Sequence, residues 1–310
     1  MDDDQQILSK AIEWHEAGEE LALATVISAW GASPRPVGSH MVVRSDGVFV
    51  GSVSGGCVET AVMSGALAAI DADKPSLLEF GVSAWRNGLS CGGRITVLVH
   101  KLSNVEPLSL VLSARERGQT CAVSFGIADG LLVFQTDIHA EETSDGRFVR
   151  VYRPAPRLVI AGAVHIAEYL ARMAEMTGFQ SMVFDPRREF ARRGTFERDP
   201  FIGWPEGYFH DHPIDGRTAI VSLTHTAKID HPTMVAALGS PAFYIGALGS
   251  KATHAKRLTR LEGEGFSAET LQRIQGPVGL PIGARSPAEI AVSILAQLID
   301  AWRNGAKGLD

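Results

Sequence analysis

The chain has 310 residues, 45% of them hydrophobic and 21% charged, enough to bury one large core or two modest ones with little left over for disorder. A formal net charge of -6, with Lys and Arg scattered rather than gathered in a stripe, offers no electrostatic footprint for nucleic acid. No apolar run reaches the roughly 18 to 20 residues that cross a bilayer, and the acidic opening Met1-Asp2-Asp3-Asp4 is unlike a secretory signal. No membrane partner and a cytoplasmic location are therefore expected. The 3 cysteines, Cys57, Cys91 and Cys121, are an odd number without secretory context, which argues for reduced thiols.

In chain order, Leu21–Ala29, Met41–Arg44, Val48–Gly51, Leu77–Phe80 and Ile95–Val99 read as strands, with a helix of small residues from Val58 to Ala69. A helix over Leu108–Arg117 precedes short strands at Cys121–Ile127, Leu131–Gln135 and Phe148–Tyr152, separated by the turns Asp129-Gly130 and Asp145-Gly146. This predicts an α+β domain over 1–152. The prolines of Arg153-Pro154-Ala155-Pro156 cannot continue a strand ladder and mark a linker into a second domain over 153–310.

There the unbroken apolar run Arg157–Ala161 leads through Gly162 into a helical pattern, His165–Met176, and a second strand, Ser181–Phe184, which together make a βαβ unit. Thr218–Leu223, a helix around Thr233–Leu238, the strand Ala242–Ile245 and the helix Ala252–Leu261 continue the alternation of a Rossmann-like, doubly wound parallel sheet. Ser286-Pro287-Ala288-Glu289 opens a final helix with Ser at the N-cap, Pro at N1 and Glu at N3. The overall class is α/β.

Chemistry concentrates in glycine-flanked loops. In Ser52–Glu59, Gly55 and Gly56 free the backbone for a tight turn and Cys57 falls where the next helix begins. Unpaired N–H groups at such an end favour a thiolate, the form that attacks sulfur or ligates a soft metal. A buried structural cysteine beside a glycine turn fits the same pattern. Leu89-Ser90-Cys91-Gly92-Gly93-Arg94 repeats the theme, and two such loops facing one pocket would offer N–H groups to an anion and thiols to a thiophilic metal. Cys121, on an alternating strand, reads as core. Arg35, in the rigid loop Ser33–Gly38, has the bidentate geometry of a phosphate clamp but also fits a solvated or paired surface charge.

In the second domain, Gly162–Ala167 sits where a dinucleotide fingerprint sits, with Asp185 ending the next strand, but Val164 replaces the second glycine and so weakens the case for NAD(P). His165 is either an anion contact or a surface residue of the first helical turn. The loops Thr224–Lys228 and Gly246–His254 both follow strands, at the sheet edge where open α/β proteins bind ligands. Lys256, Arg257 and Arg260 read as a solvated helix face.

Six blocks together resemble the XdhC/CoxI family of xanthine dehydrogenase accessory proteins: Ser33–Gly38, Ser54–Glu59, Leu89–Gly93, Gly162–Ala167, Tyr244–Lys251 and Gly276–Ala284, in order within about Leu21 to Ile299. The resemblance implies an N-terminal XdhC/CoxI domain, a C-terminal Rossmann-like domain and an accessory role rather than turnover of a metabolite. That role is to bind and protect molybdenum cofactor (molybdopterin), support its sulfuration and deliver it to a xanthine dehydrogenase-like molybdenum hydroxylase. A cysteine desulfurase and a second copy in a homodimer are implied partners. Cys57 and Cys91 would act near the molybdenum. The cofactor-binding set would be Arg35, Gly38, Ser54, Gly55, Gly56, Glu59, Gly92, Gly93, Gly162, His165, Asp185, Thr224, His225, Lys228, Gly249, Ser250 and Lys251. Where the family reads Thr-His-Asp-Pro-Lys, this chain has Thr224-His225-Thr226-Ala227-Lys228, without the acidic residue. Two rival readings are an NAD(P)-dependent oxidoreductase with a redox-active thiol and a docking scaffold whose Cys-Gly loops serve only folding.

Overall fold

The computed structural model describes residues 3–33, 35–81, 93–138, 140–191 and 195–305. By its internal contacts the chain divides into one unit of Asp3–Pro154 and another that begins at Ala155.

The first unit runs α1 (Asp3–Glu16), β1 (Leu21–Trp30), β2 (His40–Arg44), β3 (Phe49–Gly51), α2 (Glu59–Ala72), β4 (Ser76–Phe80), β5 (Arg94–Lys101), α3 (Glu106–Glu116), β6 (Cys121–Gly126), β7 (Leu132–Gln135), β8 (Glu142–Ser144) and β9 (Arg147–Tyr152). Its antiparallel sheet has the order β3-β2-β1-β5-β4, and a second antiparallel sheet the order β7-β6-β9-β8. Side chains alternate across the first sheet. Ala22, Ala24, Val26, Val97 and Val99 pack under Val62, Ala66 and Ile70 of α2, while Leu21, Leu23, Val42 and Leu98 pack against α1, α3 and the second sheet. Because both faces are covered, β1 is apolar at successive positions instead of alternating.

Two histidines lie in the core between the sheets. His40 Nδ1 meets Thr25 Oγ1 at 2.9 Å and its Nε2 meets the Tyr152 hydroxyl at 2.7 Å. Both ring nitrogens of His100 are buried without a hydrogen-bond partner among the described residues. Burial holds His40 at about 3, helped by the charge of Arg150 and by His100, and holds His100 at about 4.

The second unit runs β10 (Arg157–Ala161), α4 (His165–Met176), β11 (Gln180–Phe184), α5 (Arg188–Ala191), α6 (Pro205–Asp211), β12 (Thr218–Ser222), α7 (Ala227–Leu238), β13 (Tyr244–Ala247), α8 (Lys251–Gly263), α9 (Ala268–Leu271), β14 (Ile274–Gln275) and α10 (Pro287–Gly305). The sheet is parallel, in the order β11-β10-β12-β13-β14. Leu158, Ile160, Ala219 and Val221 face α4 and α10, whereas Val159, Ala161, Ile220 and Ile245 face Tyr208 of α6, Ile229 and Met234 of α7 and Leu261 of α8. Helices on both faces make the sheet doubly wound, as the alternating pattern predicts. The chain reverses direction across the sheet between β10 and β12, which opens a crevice at their carboxyl ends.

Three features differ from the sequence pattern. Helix α7 starts at Ala227 instead of near Thr233, with Pro232 inside it at the cost of one intrahelical bond to the Lys228 carbonyl. Helix α6 forms where the sequence shows no helical period. Arg257 does not belong to a solvated face: it is 8% exposed, its Nε lies 3.0 Å from Asp230 Oδ2, and its Nη2 donates to the Leu248 carbonyl. Among the described residues no helix is long and apolar enough to cross a membrane.

The two buried histidines set a pH dependence. Below about 6.5 the unfolded chain takes up protons that the folded chain refuses until about pH 4 or lower, so stability falls as pH drops through that window. His100→Leu should make the fall in unfolding free energy shallower by roughly 1 kcal/mol per pH unit around pH 5, with little loss at pH 8. Urea unfolding of both proteins across that range reads the slope; equal slopes would refute the assignment.

Candidate functional site

Strands β1, β3 and β4 end, and β2 and β5 begin, at one end of the first sheet, where Trp30 pairs with Arg94, Phe80 with Ile95 and Gly51 with Met41. The topology therefore brings the loop 31–39, the turn 52–58 and the segment entering β5 at Gly93 to a common end. Gly93 lies so close to the first loop that a Cβ there would stand 2.8 Å from the Ala32 carbonyl oxygen. Cys91 and Gly92 lie outside the described residues.

The turn is built around Glu59, the first residue of α2. Its carboxylate accepts from the hydroxyls of Ser52 at 2.5 Å and Ser54 at 2.6 Å, and from the backbone N–H groups of Ser54 and Gly56, both at 2.9 Å. Longer bonds come from Val53 and Val58, each at 3.2 Å. Ser54 Oγ in turn accepts from the N–H groups of Cys57 and Val58, both at 3.0 Å. Burial works against the charge on Glu59, but the donors from Ser52 and Ser54 outweigh it and lower the carboxyl to about 2. Gly55 at φ 75° and Gly56 at φ 114° supply the left-handed backbone that aims the N–H groups inward.

This revises the reading of the turn as an anion cradle. The chain's own carboxylate already fills it, so Ser54, Gly56 and Glu59 shape the turn, and its N–H groups are not the unpaired ones expected around Cys57. What the turn presents is Cys57 itself, which is exposed, whereas Cys121 is buried.

Arg35 is likewise engaged within the unit: its Nη2 sits 2.7 Å from Asp3 Oδ2 of α1, while its Nε is buried without a hydrogen-bond partner. The neighbouring glycine, Gly38 at φ 82°, lies against the Arg150 side chain, where a Cβ would collide at 2.3 Å. Arg150 pairs with Asp4 and Glu141 and lies over the Tyr152 ring. Among the described residues no group of three or more His, Cys, Asp or Glu side chains is arranged to hold a metal ion.

In the second unit, Gly162 at φ 109° passes so near the loop after β12 that a Cβ would meet Thr224 Cγ2 at 2.8 Å. Asp185, fully buried, accepts from the Ala163 N–H at 2.9 Å and grips Arg187 through Nε at 2.9 Å and Nη2 at 2.7 Å. Burial opposes its ionisation, but these donors keep the carboxyl below its ordinary range. It therefore closes the fingerprint loop instead of standing open for a ribose hydroxyl.

Thr224 is buried and accepts from the Thr226 N–H at 2.8 Å, and Thr226 caps α7 without a side-chain bond. Ser250 caps α8 by accepting from the Thr253 N–H, after Gly249 at φ 137°. His225, Lys228 and Lys251 are exposed, and His165 lies on the surface beside Tyr169.

The XdhC and CoxI family profile matches residues 14–81, and the XdhC Rossmann domain profile matches residues 158–298. A curated Escherichia coli K12 protein, "Molybdenum cofactor insertion chaperone PaoD", is 34% identical over 96% of this chain and 88% of its own. The chain belongs to the XdhC and CoxI family. A Bacillus subtilis relative, named as one of the probable subunits of a xanthine dehydrogenase, is 28% identical over 94% of this chain and 96% of its own. A crystal structure from Bacillus halodurans, described as a xanthine dehydrogenase, matches with a TM-score of 0.83 and 26% identity over 99% of this chain and 98% of that one.

Sequence reasoning on this XdhC and CoxI family member misses an open cleft of about 440 Å³ in the second unit, lined by Trp204, Glu206, Lys228, His231 and Arg260. These residues come from three helices with no shared motif, and only Lys228 belongs to a loop that the sequence marks out.

Two outcomes check the first unit. Native alkylation followed by peptide mass spectrometry should label Cys57 and spare Cys121 until denaturant is added; equal labelling would contradict the exposed turn. Glu59→Ala, which strands several N–H and hydroxyl donors, should cost about 3 kcal/mol in chemical unfolding, against within about 0.5 kcal/mol for Cys57→Ser.

Proposed function

We propose that this chain is an accessory protein that binds molybdenum cofactor as cargo, protects it, supports its sulfuration and delivers it to a xanthine dehydrogenase-like molybdenum hydroxylase. The observation that carries this reading is the 34% identity, along 96% of the chain, to a protein named a molybdenum cofactor insertion chaperone. The names of the two Bacillus relatives point to the same class of client.

The chemistry of the first unit fits such cargo. Molybdenum in a dithiolene is thiophilic, and the exposed Cys57 thiol, with Cys91 as its counterpart, is the group offered to it. Arg35 holds an exposed Asp3 carboxylate that a cofactor phosphate can displace, so the pair exchanges one anion for another. Glu59 and Ser54 then serve by holding Cys57 in place. Sulfur for the cofactor comes, in this reading, from a cysteine desulfurase, and the working form is a homodimer. Val164 in the fingerprint and the engagement of Asp185 by Ala163 and Arg187 count against the NAD(P)-dependent oxidoreductase alternative.

The test is anaerobic equilibrium binding of molybdenum cofactor to wild type, Cys57→Ala, Cys91→Ala and the double variant, with metal and pterin quantified separately. Stoichiometric binding by wild type, weakened at least tenfold in the double variant, is expected. Unchanged retention and client activation in the double variant would remove the thiols from the reading, and no binding by folded wild type would overturn the cargo assignment.

A further inference from the structure

The cleft at the opening of α6 and α7 gathers an indole, a lysine, an arginine and a carboxylate. Trp204, at the N-cap of α6, is 52% exposed. The same cleft is lined by Lys228 and His231 of α7 and Arg260 of α8. Lys228 forms no ion pair among the described residues. Arg260 and His231 share one carboxylate, Glu264, at 3.4 and 2.9 Å, which fixes both side chains while leaving guanidinium donors unspent. Glu206, in the first turn of α6, is the one carboxylate among the described lining residues, beside Ala227 and Pro232.

Each group has a distinct demand. An exposed indole stacks a planar ring, and a lysine beside an arginine holds a phosphate. A carboxylate accepts two parallel N–H bonds from a ring edge that carries an amino group next to a ring N–H. Guanine and pterin have that edge; adenine does not. The space, about 440 Å³, is open to solvent and so admits a ring with its phosphate without a lid.

We propose that this cleft binds a phosphorylated heterocycle that contains a 2-amino-4-oxopyrimidine ring, with the ring on Trp204, its amino edge on Glu206 and its phosphate on Lys228 and Arg260. Two molecules carry this chemistry, a guanine nucleotide and the pterin of molybdenum cofactor. A guanine nucleotide here goes beyond the cargo reading, whereas a pterin here rests on that reading and moves the cofactor's phosphate from Arg35 to Lys228 and Arg260; neither depends on the thiols of the first unit.

The test is equilibrium dialysis of the full-length protein with GMP, AMP, guanosine and, anaerobically, molybdenum cofactor, for wild type, Trp204→Ala, Lys228→Glu and Glu206→Ala. Wild type should hold GMP or the cofactor at least tenfold more tightly than AMP or guanosine. Trp204→Ala and Lys228→Glu should each lose at least tenfold, and Glu206→Ala should erase the preference for GMP over AMP. Trp204→Phe, which keeps a flat apolar ring, should retain most binding and serves if the alanine variant unfolds. Preference for GMP identifies a nucleotide site, and preference for the cofactor identifies a pterin site. Binding of neither by wild type, or unchanged affinity of whichever ligand binds in both Trp204→Ala and Lys228→Glu, would overturn the proposal. Cofactor binding lost only in the cysteine variants would overturn a pterin site here while leaving the cargo reading intact.

Discussion

The hydrogen bonds that gather the turn 52–58 onto the Glu59 carboxylate are the constraint on which the first unit's chemistry depends. A tight glycine turn before a helix aims several N–H groups at one point, and such a point demands a negative charge. Here the charge is supplied from within, by the first residue of α2, and it stays ionised because the serines and amides reach it before solvent does. With the cradle filled, the donors of the turn are satisfied without a ligand, and Cys57 is exposed beside them.

The second unit solves a similar problem in the same way. The loop after β10 would present its amides to a pyrophosphate in a dinucleotide enzyme, yet here Asp185 takes the Ala163 N–H and is itself neutralised by Arg187. The turn before α2 is thus closed by the chain's own carboxylate, and the loop after β10 gives its Ala163 N–H to Asp185. Side chains on the rims include Cys57 and the Asp3-bound Arg35 in one unit and His225, Lys228 and Lys251 in the other.

Most of the fold was legible because burial writes itself into periodicity. The run Leu158–Ala161, apolar at every position, could only be a strand covered on both faces, and α4 shows its buried stripe at Ala167, Leu170, Ala171 and Ala174. What escaped was structure imposed by packing at a distance. Residues 195–217 have prolines at 200, 205 and 213 and no clear period, so α6 forms because Tyr208 stacks on Phe184, a contact made across the chain. Arg257 reads as one charge in a basic helix; only the fold places Asp230 beside it. The site was half legible. Gly55-Gly56-Cys57 announced a turn and a thiol, but the role of Glu59 was missed, although two serines and two glycines ahead of a carboxylate are a donor-rich turn followed by its own anion.

Amide hydrogen exchange at Ser54, Gly56 and Val58 in the cofactor-free protein tests this internal closure most directly. Slow exchange in wild type, lost in Glu59→Ala and unaltered by added phosphate, is the expected result. Fast exchange in the cofactor-free protein that slows only when cofactor or phosphate is added would mean that the cradle is open to a ligand, and would contradict the assignment of Glu59 as its occupant.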